Sequence, residues 1–214
     1  MKSYVITITD LERSVNYATR CINSMPEYNV QMFDAVTPKD DPLKIAENKG
    51  INVQGFREKY SNFTNCVAAF LSHMSLWEMC ASGTEEYQIF EHDAVCVSPI
   101  PKFINYQGCI SLGKPSYGKF NTPQVLGVNR LTSKRYFPGA HAYRLKPKAA
   151  RTLLEATQDC ARPTDVFLNM DMFPWLEEYY PWPVVAKDTF STIQKSQGCT
   201  AKHNYGDHYE LITV

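Results

Sequence analysis

Three consecutive residues, Glu91-His92-Asp93, carry the strongest chemical signal in the chain. They follow an apolar run, Tyr87-Gln88-Ile89-Phe90, that reads as a buried strand. In extended backbone, residues i and i+2 point to one side, so Glu91 and Asp93 converge while His92 points away. Two convergent carboxylates suit a hard divalent ion such as Mg²⁺ or Mn²⁺, leaving coordination positions for phosphate oxygens. Open α/β sheets bind ligands at the carboxyl ends of their strands, which is where this pair falls. The competing reading is a solvated acidic loop.

A helix must hold this strand in place. Thr64 and Asn65 are both competent N-caps, and Val67, Phe70, Leu71, Met74 and Trp77 follow as one apolar stripe. Gly83 suits the position just past the helix end. Upstream, residues 4–9 read as a strand. A helix from Asp10 to about residue 23 follows, with Val15, Ala18 and Ile22 inward and Pro26 as a stop. Residues 30–33 make a second strand, and β-α-β order predicts a parallel pair. Residues 37–62 are polar, with a short helix near 43–48. Downstream, strands are expected at 109–112, 139–145 and 184–186. Pro147 opens a helix to about 157, and a helix containing Val166, Phe167, Met170 and Phe173 is expected from 163 to Pro174. Residues 114–134 lack periodicity and read as a mobile loop.

The 214 residues suit one domain, and 44% hydrophobic with 21% charged content describes a globular protein. Nothing approaches a membrane span, and no signal peptide precedes the first strand. Seven scattered cysteines without Cys-x-x-Cys spacing favour a reducing, cytoplasmic setting. Formal net charge is zero, yet residues 94–154 hold ten Lys and Arg and no acid. Such asymmetry points to an anionic partner on one face, or to a basic face whose charges pair with acids elsewhere.

Four blocks in order resemble the family 25 glycosyltransferases, which include lipopolysaccharide-biosynthesis and procollagen galactosyltransferases. Tyr4-Val5-Ile6-Thr7-Ile8 with Arg13 is similar to the family's opening strand and arginine-bearing helix. Phe70-Leu71-Ser72-His73 with Leu76-Trp77 is similar to its Leu-Ser-His…Leu-Trp helix, and Ile89 to Ala94 to its acidic block. Gly139-Ala140-His141-Ala142-Tyr143 and Pro163-Thr164-Asp165 complete the match. The resemblance implies an α/β fold with a single GT-A type domain over residues 1–194. Its mostly parallel central sheet would be flanked by helices, with residues 195–214 a tail packed on the same domain. It also implies a nucleotide-sugar donor, such as a UDP-hexose, a Mn²⁺ or Mg²⁺ cofactor, and transfer with inversion. Thr7, Arg13, Ser72, His73 and His141 would bind the donor. The chain departs from the family with His92 in place of an acid, Ala68 in place of glycine and Thr192 in place of Asp.

Inverting transfer needs a stabilised leaving diphosphate and one carboxylate to deprotonate the acceptor. Glu91 and Asp93 are assigned to the metal, with His203 or His208 reaching back as a third ligand. Asp165 matches the family's Asp and is the candidate base, against the alternative of a plain helix cap; Asp188 and Asp171 are reserves. Ser72 and His73 are adjacent on a helix and cannot pair as nucleophile and base. The acceptor is a saccharide, anionic in the lipopolysaccharide manner, or a hydroxylated DNA base. A non-catalytic nucleotide-sugar or glycan-binding module of the same fold is the alternative.

Overall fold

The computed structural model describes residues 1–57, 61–187, 190–194 and 210–212. The chain opens with β1 (Lys2–Thr7), α1 (Glu12–Asn23) and β2 (Val30–Asp34), and the two strands pair in parallel as the order demands. Helix α1 buries Ser14, Ala18 and Cys21, a face turned by one residue from the expected one. The turn has a polar cause. The Ser14 hydroxyl accepts the Ile8 amide at 2.9 Å, tying the helix to the end of β1.

After α2 (Pro42–Asn48) comes α3 (Phe63–Ser82). Its cap is Asn62, whose Oδ1 accepts the amides of Thr64 (3.1 Å) and Asn65 (3.4 Å), so the two expected caps lie inside the first turn. Gly83 closes the helix in an extended conformation, not a left-handed one. The helix is buried well beyond the expected stripe: Cys66, Ala68, Ser72, His73, Leu76 and Cys80 are also inside. That is the pattern of a helix packed on two sides, here by α4 (Pro147–Cys160) and the sheet.

The sheet adds β3 (Tyr87–Glu91), β5 (Cys109–Ser111), β6 (Gly127–Arg130), β7 (Ala142–Leu145) and β8 (Leu176–Tyr180), in the order β2-β1-β3-β7-β5-β8-β6. Two small pairs lie outside it. They are β4 (Ala94–Cys96) with β9 (Val184–Ala186), and β10 (Phe190–Ser191) with β11 (Glu210–Leu211). The α/β class is as expected. The mostly parallel sheet is corrected to a mixed one: β1–β2, β1–β3 and β5–β8 are parallel, whereas β3–β7, β5–β7 and β6–β8 are antiparallel. Parallel neighbours need long crossovers, usually helical. No helix lies between β3 and α4, so that half of the chain pairs mainly by antiparallel returns.

Alternate residues of the central strands feed opposite cores. Ile6 and Ile89 join Phe70, Leu71, Trp77 and Phe167 on the α3 side, and Val5 and Phe90 join Ala18, Cys21 and Met25 on the α1 side. The helix expected from 163 to 174 is one turn, α5 (Thr164–Phe167). Asn169 stops it, because its side chain donates to the Val166 and Phe167 carbonyls and accepts the amides of Asp171 and Met172. The 114–134 segment, read as mobile, contains β6 and is tethered at both ends. Ser116 binds the Pro138 carbonyl, and buried Glu178 accepts the amides of Thr132 and Ser133 at 2.7 Å each.

Candidate active site

Chain order runs from β1 outward to β2 and then back across to β3, so the sheet has a switch point between β1 and β3. Ligand crevices of α/β sheets form at such a point, outside the carboxyl ends of the strands. A cavity of about 440 Å³ lies there, a volume suited to a small ligand. Ile6 of β1 and Ile8 just past it line the cavity, with residues 35–38 from beyond β2, Glu91 from the end of β3, and His92 and Asp93 from the turn after it. Ser72 and His73 of α3, Ser116, Tyr117, His141, Thr164 and Asp165 form the opposite wall, and residues 190–194 border it. Among the described lining residues three are carboxylic acids, and none is Lys or Arg.

Glu91 is held from behind by a chain of buried hydrogen bonds. Its Oε1 lies 3.1 Å from His73 Nε2, and His73 Nδ1 lies 2.9 Å from the Tyr143 hydroxyl, which also accepts Trp77 Nε1–H at 2.8 Å. Trp77 can only donate, so the Tyr143 proton is free to turn to His73 Nδ1. His73 then carries its proton on Nε2 and donates it to Glu91, the tautomer a carboxylate partner demands. Burial pushes the His73 pKa down to about 3, with Asp165 opposing, so the ring is neutral at ordinary pH. His73 therefore positions an acid; it is not free to serve as a base.

Asp93 is buried, and its backbone carbonyl accepts from the Lys187 amide at 2.9 Å and from Arg20 at 3.3 Å. His92 between the two acids is committed elsewhere. Its Nδ1 lies 2.8 Å from Ser14 Oγ, and its ring stacks on Phe190 at 5.3 Å. Among the described residues, no three of His, Cys, Asp and Glu gather closely enough to hold an ion by themselves. The donor set that is present, two acids at i and i+2 with no Lys or Arg among the described lining residues, fits a hard ion that takes its other ligands from phosphate and water.

Asp165 reaches the same cavity from the start of α5. One oxygen accepts the Val166 amide at 2.9 Å, the other a short hydrogen bond from the Tyr117 hydroxyl. Burial, then Asp165, push the Tyr117 hydroxyl pKa up, so it remains a donor. Lys134 lies over the Tyr117 and Tyr136 rings at 5.0 and 5.1 Å.

The other expected residues are dispersed. Ser72 lines the cavity, but its hydroxyl accepts the Val36 amide (2.9 Å) and donates to the Ala68 carbonyl (3.0 Å), pinning the strand end beside it. Thr7 is buried and donates to the Val5 carbonyl at 3.0 Å. Arg13 lies over Phe190 and pairs with Glu210 at 2.5 Å. Neither Thr7 nor Arg13 is among the residues lining the cavity. Asp188, His203 and His208 lie outside the described residues. Sequence reading missed Tyr117 and the role of Tyr143; neither has a local signature, because each acts on a residue 48 or 70 positions away.

The basic stretch is partly absorbed by the fold. Arg144 is 1% exposed and bonds Gln88, Tyr28 and the Pro101 and Lys102 carbonyls. Lys146 bonds the Tyr106 carbonyl, Arg151 the Ala81 carbonyl, and Arg135 pairs with Asp171. No helix among the described residues is long and apolar enough to cross a membrane.

No curated protein sequence matches the chain. Residues 1–108 match the sequence model of glycosyltransferase family 25 (LPS biosynthesis protein), which takes in the β1–β3 switch point, the His73 helix and both strand-end acids. The match spans half of the chain and half of the cavity wall, and on it the protein belongs to glycosyltransferase family 25.

Proposed function

We propose that this protein moves a hexose from a nucleotide-sugar donor, a UDP-hexose in the first instance, to an acceptor hydroxyl with inversion, assisted by Mn²⁺ or Mg²⁺. The observation that carries the reading is the cavity at the switch point, with three acids and no cationic side chain on its described wall. A diphosphate entering such a cavity meets repulsion unless a cation accompanies it. Glu91 and Asp93 would hold the ion, which when bound would neutralise the leaving diphosphate.

The chain's own residues supply the rest. His73 keeps Glu91 aimed into the cavity. Tyr117 and the Val166 amide fix the Asp165 carboxylate. Asp165 takes the proton of the acceptor hydroxyl as that oxygen bonds to the anomeric carbon, and the bond from that carbon to the diphosphate oxygen breaks with its electron pair on the oxygen. Asp188, the reserve base, and His203, the reserve ligand, enter only if these assignments fail.

The acceptor we favour is a saccharide carrying phosphate. Lys134, held over two tyrosine rings of which Tyr117 bonds Asp165, offers it a cation, whereas the structural use of Arg144, Lys146 and Arg151 weakens the case for a hydroxylated DNA base. A phosphate-bearing acceptor predicts affinity that falls steeply with salt while donor affinity stays nearly flat.

Hydrolysis of UDP- and GDP-linked glucose and galactose, followed with Mn²⁺ and with excess chelator, tests the function. One consumed donor and loss of turnover in chelator are expected. Full turnover in chelator would remove the metal role, and no consumption of any nucleotide sugar, with or without acceptor, would remove the transferase reading.

A further inference from the structure

His141 is the least explained polar residue in the cavity. It is 2% exposed and lines the wall, yet neither ring nitrogen has a hydrogen-bond partner. The Val184 carbonyl is near enough to favour the charged ring but not in hydrogen-bond geometry. Buried polar groups are nearly always paired, and leaving one unpaired is costly. The backbone around it keeps the space bare. A Cβ at Gly113 would lie 2.4 Å from His141 Nε2. One at Gly139, whose φ of +90° already favours glycine, would lie 2.3 Å from Ser116 Oγ and 3.1 Å from His141 Nδ1. Ser116 and His141 are thus brought together across a glycine, with no side chain between.

Thr164 Oγ1, on the same cavity wall, is a second buried oxygen without a partner. Ser116 Oγ donates to the Pro138 carbonyl at 3.1 Å and keeps its lone pairs for a ligand. Burial lowers the His141 pKa to about 4, so the ring brings one N–H and one lone pair and no charge. The set is neutral, mixes donors and acceptors, and shares its wall with the Asp165 carboxylate. Phosphate, an anion that only accepts, would use the donors, leave the acceptors unmet and meet the Asp165 carboxylate. A hydroxyl, which both donates and accepts, matches all of it.

We propose that His141, Ser116 and Thr164 form a subsite for the hydroxyls of a neutral sugar ring, apart from the acids that face the diphosphate. The inference rests on reading the cavity as a nucleotide-sugar site. The ring belongs either to the donor hexose or to the acceptor, and binding separates the two.

The probes are UDP, GDP and their glucose and galactose conjugates, titrated by calorimetry with Mn²⁺ present against wild type, His141→Phe and His141→Gln. With the donor hexose in the subsite, His141→Phe leaves the nucleoside diphosphate within twofold of wild type and weakens its sugar conjugate about tenfold, the weight of one buried hydrogen bond. With the acceptor there, both nucleotides bind normally and the acceptor KM rises about tenfold. In either case His141→Gln, which keeps a donor and an acceptor, recovers part of the loss. A matching loss for the bare diphosphate, or no change in donor affinity and acceptor KM, overturns the subsite. Wild type binding no nucleotide at all overturns the reading beneath it as well.

Discussion

Replacing Tyr143 by Phe removes one oxygen from the middle of the Trp77–Tyr143–His73–Glu91 chain and changes almost no volume. Tyr143 is fully buried, so no water replaces the hydroxyl without rearrangement. Two groups lose their partners, the Trp77 indole N–H and the His73 Nδ1 lone pair. Each unsatisfied buried group costs about 1–3 kcal/mol, and the relief of burying no phenol offsets part of it, so the net loss is about 3 kcal/mol. In urea, with a slope of about 3 kcal/mol per M for a chain this size, the midpoint falls by about 1 M with the slope unchanged. Turnover falls too, because His73 no longer has a fixed tautomer to present to Glu91. His73→Leu supplies the check. If the two residues act through one hydrogen-bond chain, the double variant costs less than the sum of the singles by about 1 kcal/mol or more. A midpoint shift under about 0.3 M, or strict additivity, refutes the chain.

Asp93→Asn keeps the shape of the strand end and removes one formal charge, so it should raise the Mn²⁺ concentration for half-maximal turnover at least tenfold with the thermal midpoint little changed; an unchanged metal requirement removes Asp93 from the ion. Asp165→Asn retains a carbonyl oxygen for Tyr117 but no proton acceptor, and should cut turnover about 10²-fold at constant donor affinity. Normal turnover would move the base elsewhere, with Asp188 tested next. His73 and His141 are depressed to about 3 and 4 in the folded chain, against about 6.5 unfolded, so the unfolded state binds more protons below pH 6.5. Stability is therefore whole above that pH and falls as pH drops, by about 3 kcal/mol between pH 7.5 and 5.5 for the pair. Urea midpoints flat across that range would show that the rings are not held neutral.

The parts of the fold legible in the sequence are those dictated by short-range rules. Residues 2–34 and 63–91 show periodicity, breakers and a β-α-β order, and the structure places strand, helix and parallel pairing there. Strand β8, between β5 and β6 in the sheet, was not legible, because Leu176-Glu177-Glu178-Tyr179-Tyr180 puts an acid at a fully buried position. Glu178 belongs there only because the Thr132 and Ser133 amides and the Trp182 indole come to it from elsewhere. No local pattern announces such partners. The same holds for Arg144, which reads as surface charge and is core.

The acidic pair was legible only in part: Glu91 and Asp93 line one cavity, but β3 ends at Glu91, and in the turn that follows His92 lines the same cavity while its ring meets Ser14 and Phe190. What the alternation could not reveal is the second layer. His73 and Ser72, read as donor contacts, line the cavity, and each also has a partner in the fold, Glu91 for His73 and Val36 for Ser72. Among the described histidines, His141 is the one with both nitrogens unspent. A histidine on a cavity wall can serve a ligand only with the hydrogen-bonding capacity that the fold leaves it. By that measure the Leu-Ser-His helix is committed to holding Glu91, and on the cavity wall it is His141, beside Gly113 and Gly139, that keeps its hydrogen-bonding capacity.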